Sequence, residues 1–153
     1  MLEKPDLADD RIATCLQAAY GVPATQVLFL PLGADENTAV YHILTNTNAY
    51  FLKLRSGVFV ETSVLLPKFL HDQGIRQIIP PLAAKTGQLW ADLAGLKAIL
   101  YPFINGQNGY ERPLTDAHWR ELGATLRQIH TAVLPPPSLV PSAGKRFRCS
   151  GGR

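Results

Sequence analysis

The sequence predicts an α+β fold with a mainly antiparallel sheet, and two features of the chain lead to this class. Short apolar and β-branched segments, separated by turn residues, recur between residues 26 and 103. Helical spacing of apolar residues occurs in only three places, so helices do not alternate with strands as they do in a parallel fold. The predicted order is helix, three strands, helix, two or three strands, loop and helix.

The first element is an amphipathic helix that begins at Asp9 or Asp10 and ends at Tyr20. Four apolar residues recur there at helical spacing: Ile12, Leu16, Ala19 and Tyr20. Gly21 favours a helix end because glycine readily adopts the left-handed conformation. Pro23 then prevents continuation, because proline has no N–H for a helical hydrogen bond.

Three strands are predicted next, at residues 27–30, 39–45 and 50–55. The polar residues 46–48 are a turn signal, so the second and third strands are predicted to form a hairpin. Because side chains alternate along a strand, Phe51, Lys53 and Arg55 share one face of the third strand.

A helix and two or three strands follow. Helical spacing predicts a helix within residues 60–73, which begins near Ser63 or is kinked at Pro67. The segment 78–83 is strand-like but contains two prolines, which suits a sheet edge. Residues 89–92 are predicted to be a short strand, and residues 96–103 a strongly apolar one.

The end of the chain changes character. Residues 104–113 are rich in glycine and asparagine and are predicted to be a linker between two bodies. A helix capped by Thr115 or Asp116 then runs to His130 or Thr131. Residues 134–153 are first proline-rich and then basic, without periodicity, so we expect an extended or disordered tail there.

The charge distribution does not favour a nucleic-acid partner. The chain has 15 lysines and arginines against 12 acidic residues, a formal net charge of +3. Four of the 15 basic residues lie after residue 144 and all acidic residues lie before it, which leaves 11 against 12 in residues 1–144. A nearly neutral body lacks the basic surface that nucleic-acid binding requires.

Membrane, secretory and metal-binding classes are not favoured either. No run of about 18 apolar residues is present, and the polar start does not resemble a signal peptide, so we expect a cytoplasmic protein without a membrane partner. Cys15 and Cys149 lack a metal-binding spacing and are interpreted as free thiols.

Two segments carry candidate chemistry. The small polar loop at residues 32–38 joins two strands, and its amides suit a phosphate, although an ordinary hairpin loop has the same composition. Lys53 lies between Leu52 and Leu54 in mid-strand, where lysine is uncommon. Its position indicates either pairing with a carboxylate or phosphate, or a solvated strand face. Glu61 is the candidate ion-pair partner.

Five stretches of the chain, taken in order, resemble one known family. They are Leu32-Gly33-Ala34-Asp35-Glu36-Asn37-Thr38, Tyr50-Phe51-Leu52-Lys53-Leu54, Leu70-His71-Asp72-Gln73-Gly74-Ile75, Tyr101-Pro102-Phe103-Ile104 with Asn108-Gly109, and residues 122–130. Together they resemble the aminoglycoside phosphotransferases, especially the spectinomycin branch, over residues 1–134. The resemblance implies a protein-kinase-like amino-terminal lobe: a five-stranded, mainly antiparallel sheet with a packed helix, an amino-terminal helix and one helix after a hinge.

The resemblance also implies a ligand and roles for particular residues. The cofactor would be ATP with Mg²⁺, and the acceptor a hydroxyl of a small aminocyclitol. Lys53 would hold the α- and β-phosphates of ATP, and Glu61 would position this lysine. The loop over the phosphates would comprise Gly33, Ala34, Asp35, Asn37 and Thr38. The hinge that binds adenine would comprise Tyr101, Pro102, Phe103 and Ile104.

The sequence departs from the family pattern after the hinge. The family's His-x-Asp-x-x-x-x-Asn catalytic loop and a further magnesium-binding aspartate are missing from the 153 residues, so we assign no catalytic and no metal-binding residue. We therefore expect a truncated phosphotransferase that is inactive alone. Its predicted parts are a nucleotide-binding lobe at 1–104, a hinge and linker at 105–114, the first helix of the catalytic lobe at 115–133, and the tail.

Two alternatives remain open at this level. The chain could be a non-catalytic interaction module that self-associates through the surface where a second lobe would pack. Leu122, Leu126 and Ile129 would be exposed on that surface. Related choline, homoserine and hydroxylysine kinases share the implied fold and differ in the acceptor, which the sequence does not identify.

Overall fold

The computed structural model describes residues 3–32, 35–107, 109 and 111–134. Its elements, in chain order, are helix α1 at Asp9–Tyr20, strands β1 at Gln26–Leu30, β2 at Thr38–Leu44 and β3 at Ala49–Arg55, helix α2 at Thr62–Asp72, strands β4 at Ala91–Leu93 and β5 at Leu96–Pro102, and helix α3 at Asp116–Thr131. The strands form one sheet in the order β1-β2-β3-β5-β4, and every neighbouring pair is antiparallel. The predicted α+β class and five-stranded sheet are confirmed.

Helix α1 covers one face of the sheet. Its buried residues, Ile12 and Leu16 among them, share a core with Tyr41, Leu52 and Leu100 from the three central strands. The helix ends as predicted, because Gly21 has φ 72° and its N–H donates to the carbonyl of Gln17 at 3.1 Å. This turn leads the chain directly into β1.

Helix α2 lies against the opposite face, near β5. Val64 in its first turn is buried with Leu89, Trp90 and Ile99. The rings of Phe59 and Trp90 extend this cluster, with centroids 5.0 Å apart. The helix begins one residue before the predicted start at Ser63 and continues through Pro67.

Two predictions of local structure are corrected. Residues 78–83 do not form a strand: the prolines at 80 and 81 have no N–H to donate, and the segment reaches β5 through the Leu82 N–H, which donates to the Leu100 carbonyl at 2.7 Å. The short edge strand lies two residues later than predicted, at β4.

Cys15, which is buried in α1, takes part in a disulfide, so its interpretation as a free thiol is wrong.

Helix α3 has a well-formed start and an exposed apolar side. Thr115 caps it, which is one of the two caps that the sequence predicts, and His118 bonds back to Thr115 in a capping box that the sequence analysis did not identify. Trp119, Leu122 and Leu126 are about half exposed.

Within the described ranges, no helix is both long and apolar enough to cross a membrane. The predicted tail lies outside the described residues except for residue 134, and the predicted division into four parts stays a prediction.

Candidate functional site

The face of the sheet that α1 leaves uncovered carries the candidate site. Residues directly opposite each other on antiparallel strands point to the same face. The register therefore places three rows of side chains from β2, β3 and β5 on this side. We call it the lysine face; it comprises Thr38, Val40, His42, Phe51, Lys53, Arg55, Lys97, Ile99 and Tyr101. Sequence alternation had predicted the β3 members correctly.

Lys53 occupies the centre of the lysine face. It is half-buried in the middle strand of the sheet, directly opposite Val40 on one side and Ile99 on the other. Across the residues that the structure describes, its ammonium group makes neither a hydrogen bond nor a salt bridge. A half-buried ammonium group between two apolar side chains is well placed to bind an anion.

The β1–β2 loop closes one end of this face. The Asp35 carboxylate accepts hydrogen bonds from the Asn37 N–H and the Thr38 hydroxyl, each at 2.9 Å. The Asn37 carbonyl accepts in turn from the Ser56 N–H at 2.9 Å, which ties the loop to the end of β3. The predicted loop residues Gly33 and Ala34 lie outside the described residues.

Arg55 joins this loop to the lysine face and was not predicted as a site residue. Its Nη1 lies 3.5 Å from Oδ2 of Asp35. The hydrogen bonds from Asn37 and Thr38 lower the pKa of the Asp35 carboxyl, and the positive charges of Arg55 and Lys53 lower it further. Arg55 thus pairs with Asp35 at the loop end, and the charge of Lys53 acts on the same carboxylate. The alternation of Lys53 with Arg55 along β3 was the sequence signal for this arrangement.

The predicted hinge lies at the other end of the lysine face. The Tyr101 ring makes an edge contact with Phe51, with centroids 6.4 Å apart, and burial raises the pKa of its phenol. The Phe103 N–H donates to the Ala49 carbonyl at 3.2 Å, which fixes the chain beside β3 as it leaves the sheet. Pro102 pairs with Tyr50 in register.

An unpredicted aromatic stack covers the hinge end. The rings of His42 and Phe103 are stacked, with centroids 3.9 Å apart and planes 20° from parallel. The sequence does not show this stack, because it depends on the hinge folding over the end of β2. Ile104, the last predicted hinge residue, is 58% exposed beside this stack. The hinge end is therefore apolar and aromatic, whereas the loop end is charged.

The structure does not bring Glu61 and Lys53 together. Glu61 is the N-terminal cap residue of α2 and is exposed, and no salt bridge joins it to Lys53 in the described part of the chain. The first turn of the helix presents Val64 to the sheet instead. The positioning role of Glu61 stays a prediction without support from this geometry.

The described residues contain no preformed metal site. Among them, no group of three or more histidine, cysteine, aspartate or glutamate side chains is arranged to hold a metal ion. Magnesium usually requires one or two carboxylates together with phosphate oxygens and water. A magnesium ion bound together with a nucleotide would therefore take most of its ligands from phosphate oxygens and water.

Comparison with known proteins places this geometry in context. No protein-family model matches the chain, and no curated protein sequence matches it. The crystal structure of spectinomycin phosphotransferase APH(9)-Ia in complex with ADP and spectinomycin matches with a TM-score of 0.80 and 34% identity, over 86% of this chain and 40% of that one. The AMP-bound complex of the same enzyme matches with a TM-score of 0.72 and 32% identity, over 82% and 38%.

The chain thus spans about two fifths of the length of these solved relatives. The resemblance to the aminoglycoside phosphotransferases, predicted from five short stretches, is confirmed, as is the kinase-like fold. The roles of the individual site residues stay predictions.

Proposed function

We propose that this chain is the nucleotide-binding lobe of an ATP-dependent phosphotransferase whose acceptor is a hydroxyl group of an aminocyclitol such as spectinomycin. The observation that carries the proposal is Lys53, which is half-buried at the centre of the lysine face and unpaired within the described residues. Solved relatives that contain ADP, AMP and spectinomycin support the same interpretation.

The dimensions of the lysine face suit an extended nucleotide. Thr38 at the loop end and His42 at the hinge end are four residues apart on β2, a distance of about 13 Å along a strand. Phe51, Tyr101 and Phe103 offer aromatic surface for a base at the hinge end. The ammonium of Lys53 offsets phosphate charge nearer the loop. The face is thus apolar where a base would lie and cationic where phosphates would lie.

Binding and orientation are what these residues supply to the reaction. Bound ATP would provide the phosphoryl group. Lys53 would hold the phosphates in place, and the loop fixed by Asp35 and Asn37 would limit access of water from one side. We assign no magnesium ligand among the described residues, because they contain no preformed group of metal-binding side chains. We propose that the 153 residues bind nucleotide but do not transfer a phosphoryl group by themselves, because they lack the family's catalytic loop.

The proposal is tested by titrating the purified 153-residue chain with ADP in a calorimeter. Replacing Lys53 with glutamine removes a charge-assisted contact of about 1.5–3 kcal/mol, which corresponds to about a 10- to 100-fold weaker affinity. Arg11→Gln is the matched control, since Arg11 is an exposed cation on α1, on the other side of the sheet. Absence of ADP binding by the unaltered chain, or equal affinity of Lys53→Gln, would refute the proposal.

A second candidate function is self-association, and the exposed side of α3 favours it. Trp119 is 57% exposed, and Leu122 and Leu126 are exposed on the same helix. Exposed apolar patches of this kind promote contact with another protein surface. Light scattering after size-exclusion chromatography should then give a mass that increases with protein concentration. A monomer at all concentrations would exclude this candidate and leave the nucleotide proposal unaffected.

A further inference from the structure

We propose that Arg55 is a second phosphate-binding cation beside Lys53, and that Asp35 is the counter-ion that holds Arg55 at the site until a phosphate takes its place. This inference rests on the proposed nucleotide site and deepens it. It assigns the terminal phosphate of the nucleotide to Arg55 and the inner phosphate to Lys53.

Lys53 and Arg55 follow each other along the same face of β3. Lys53 and Arg55 are two residues apart on β3, so their side chains emerge on the same face about 7 Å apart. Lys53 lies between the aromatic hinge end and Arg55, which is directly opposite Thr38 at the loop end. A nucleotide with its base at the hinge end would meet the lysine first and the arginine second. A polyphosphate chain would therefore extend towards Arg55.

Arg55 is only weakly paired with Asp35. Its contact with Asp35 is 3.5 Å long, whereas a strong charge-assisted hydrogen bond measures about 2.7–2.9 Å. Asp35 directs its two oxygens to the Asn37 N–H and the Thr38 hydroxyl, each at 2.9 Å. The side chain of Arg55 is 29% exposed. A guanidinium group has five N–H donors, so this weak pairing leaves capacity for a phosphate.

The remaining cation of this face, Lys97, is held away from the proposed site. Lys97 is directly opposite Arg55 on β5, but it forms a short salt bridge with Asp92. Its ammonium also lies 5.9 Å from the centre of the Phe59 ring. Both contacts hold Lys97 towards the edge of the sheet. Of the three cations on the lysine face, Lys53 and Arg55 are therefore the ones left for a ligand.

The negative charge of Asp35 lets an experiment distinguish this proposal from one in which Asp35 binds the ligand. If the ligand is an anion, Asp35 opposes it by charge and competes with it for Arg55. Removing the charge of Asp35 should then strengthen binding, whereas removing the charge of Arg55 should weaken it. If Asp35 instead served the ligand directly, for example through a metal ion, its removal would weaken binding.

The test compares dissociation constants of the 153-residue chain for AMP and ADP by calorimetry. For Arg55→Gln we expect about tenfold weaker binding of ADP and unchanged binding of AMP. Lys53→Gln should weaken binding of both nucleotides, and Asp35→Asn should strengthen ADP binding severalfold. Arg76→Gln removes an exposed cation in the turn after α2 and should change neither constant. Arg55→Lys keeps the charge and should restore part of the ADP affinity.

Two results would overturn the inference while leaving the proposed function intact. One is ADP binding by Arg55→Gln that equals that of the unaltered chain while Lys53→Gln is weakened. The other is weaker ADP binding by Asp35→Asn. Thermal melting of each variant separates loss of binding from loss of folding, and Arg55→Lys serves as the second variant if Arg55→Gln does not fold. A chain that binds no ADP at all would instead refute the proposed function itself.

Discussion

Replacing Tyr20 or Tyr41 with phenylalanine is expected to have different effects on the stability of the fold. Tyr20 of α1 donates its hydroxyl to the Ala98 carbonyl of β5 at 2.8 Å. Tyr41 of β2 is completely buried in the core between α1 and the sheet, and within the described residues its hydroxyl has no hydrogen-bond partner. Replacing either residue with phenylalanine removes one oxygen and leaves the ring. The expected difference therefore comes from hydrogen bonding alone.

The size of each effect follows from the cost of burying a polar group. A typical internal hydrogen bond contributes about 1 kcal/mol, so Tyr20→Phe should lower the free energy of unfolding by about that amount. A buried hydroxyl without a partner costs about 1–3 kcal/mol, part of which Tyr41→Phe recovers, so this variant should be as stable as the original or up to about 1 kcal/mol more stable. For a domain of this size, 1 kcal/mol shifts Tm by about 4 °C.

Thermal melting followed by circular dichroism measures both variants, and alkaline melting gives a second check. Burial raises the pKa of both phenols. A pKa that is higher in the folded than in the unfolded state gives stability that is complete below about pH 10 and falls as the pH rises further. Tyr20→Phe should lose less stability than the original chain above that pH. Equal destabilisation by the two substitutions at pH 7 would refute the assignment of hydrogen bonds.

Two further predictions concern the backbone and the loop. Gly21→Ala should cost about 1–2 kcal/mol, because Gly21 has φ 72° and a new Cβ would lie 3.2 Å from Cε of Lys85. Gly123→Ala, in the interior of α3 with open space around it, should instead stabilise the chain in the same melting assay. The hydrogen bond from the Asn37 N–H is the main cause of the lowered pKa of Asp35. This hydrogen bond is therefore fully formed above the ordinary aspartate pKa, and it is lost as the pH falls through the lowered pKa. The Asn37 amide resonance should follow that transition and show none in Asp35→Asn.

The sequence predicted most of the fold because its signals are local. Alternating apolar residues located β2 and β3, and Gly21 located the end of α1. The strand predicted at residues 78–83 does not form. The prediction gave more weight to the apolar composition of this segment than to its two prolines, which cannot donate the N–H hydrogen bonds that a strand needs. Local patterns therefore give elements reliably only where the backbone can also complete its hydrogen bonds.

The candidate site was less predictable because it depends on which strands become neighbours. Lys53 was identified from its own position, but Ile99 lies opposite it because β5 pairs with β3 across the intervening helix and edge strand. The stacking of Phe103 on His42 joins residues far apart in the chain. The family pattern predicted a pairing of Lys53 with Glu61, yet the first turn of α2 presents an apolar residue to the sheet.

The two faces of the sheet differ in what they contribute. The face under α1 contains side chains that are almost completely buried, such as Tyr41, Leu52 and Leu100, and these stabilise the fold. The lysine face holds half-buried charged groups, Lys53 at its centre and Arg55 at its loop end, which add charge but little core packing. Substitutions at these two cations should therefore change nucleotide affinity far more than Tm. Large-to-small substitutions under α1 should do the reverse, since a buried leucine replaced by alanine costs about 2–5 kcal/mol.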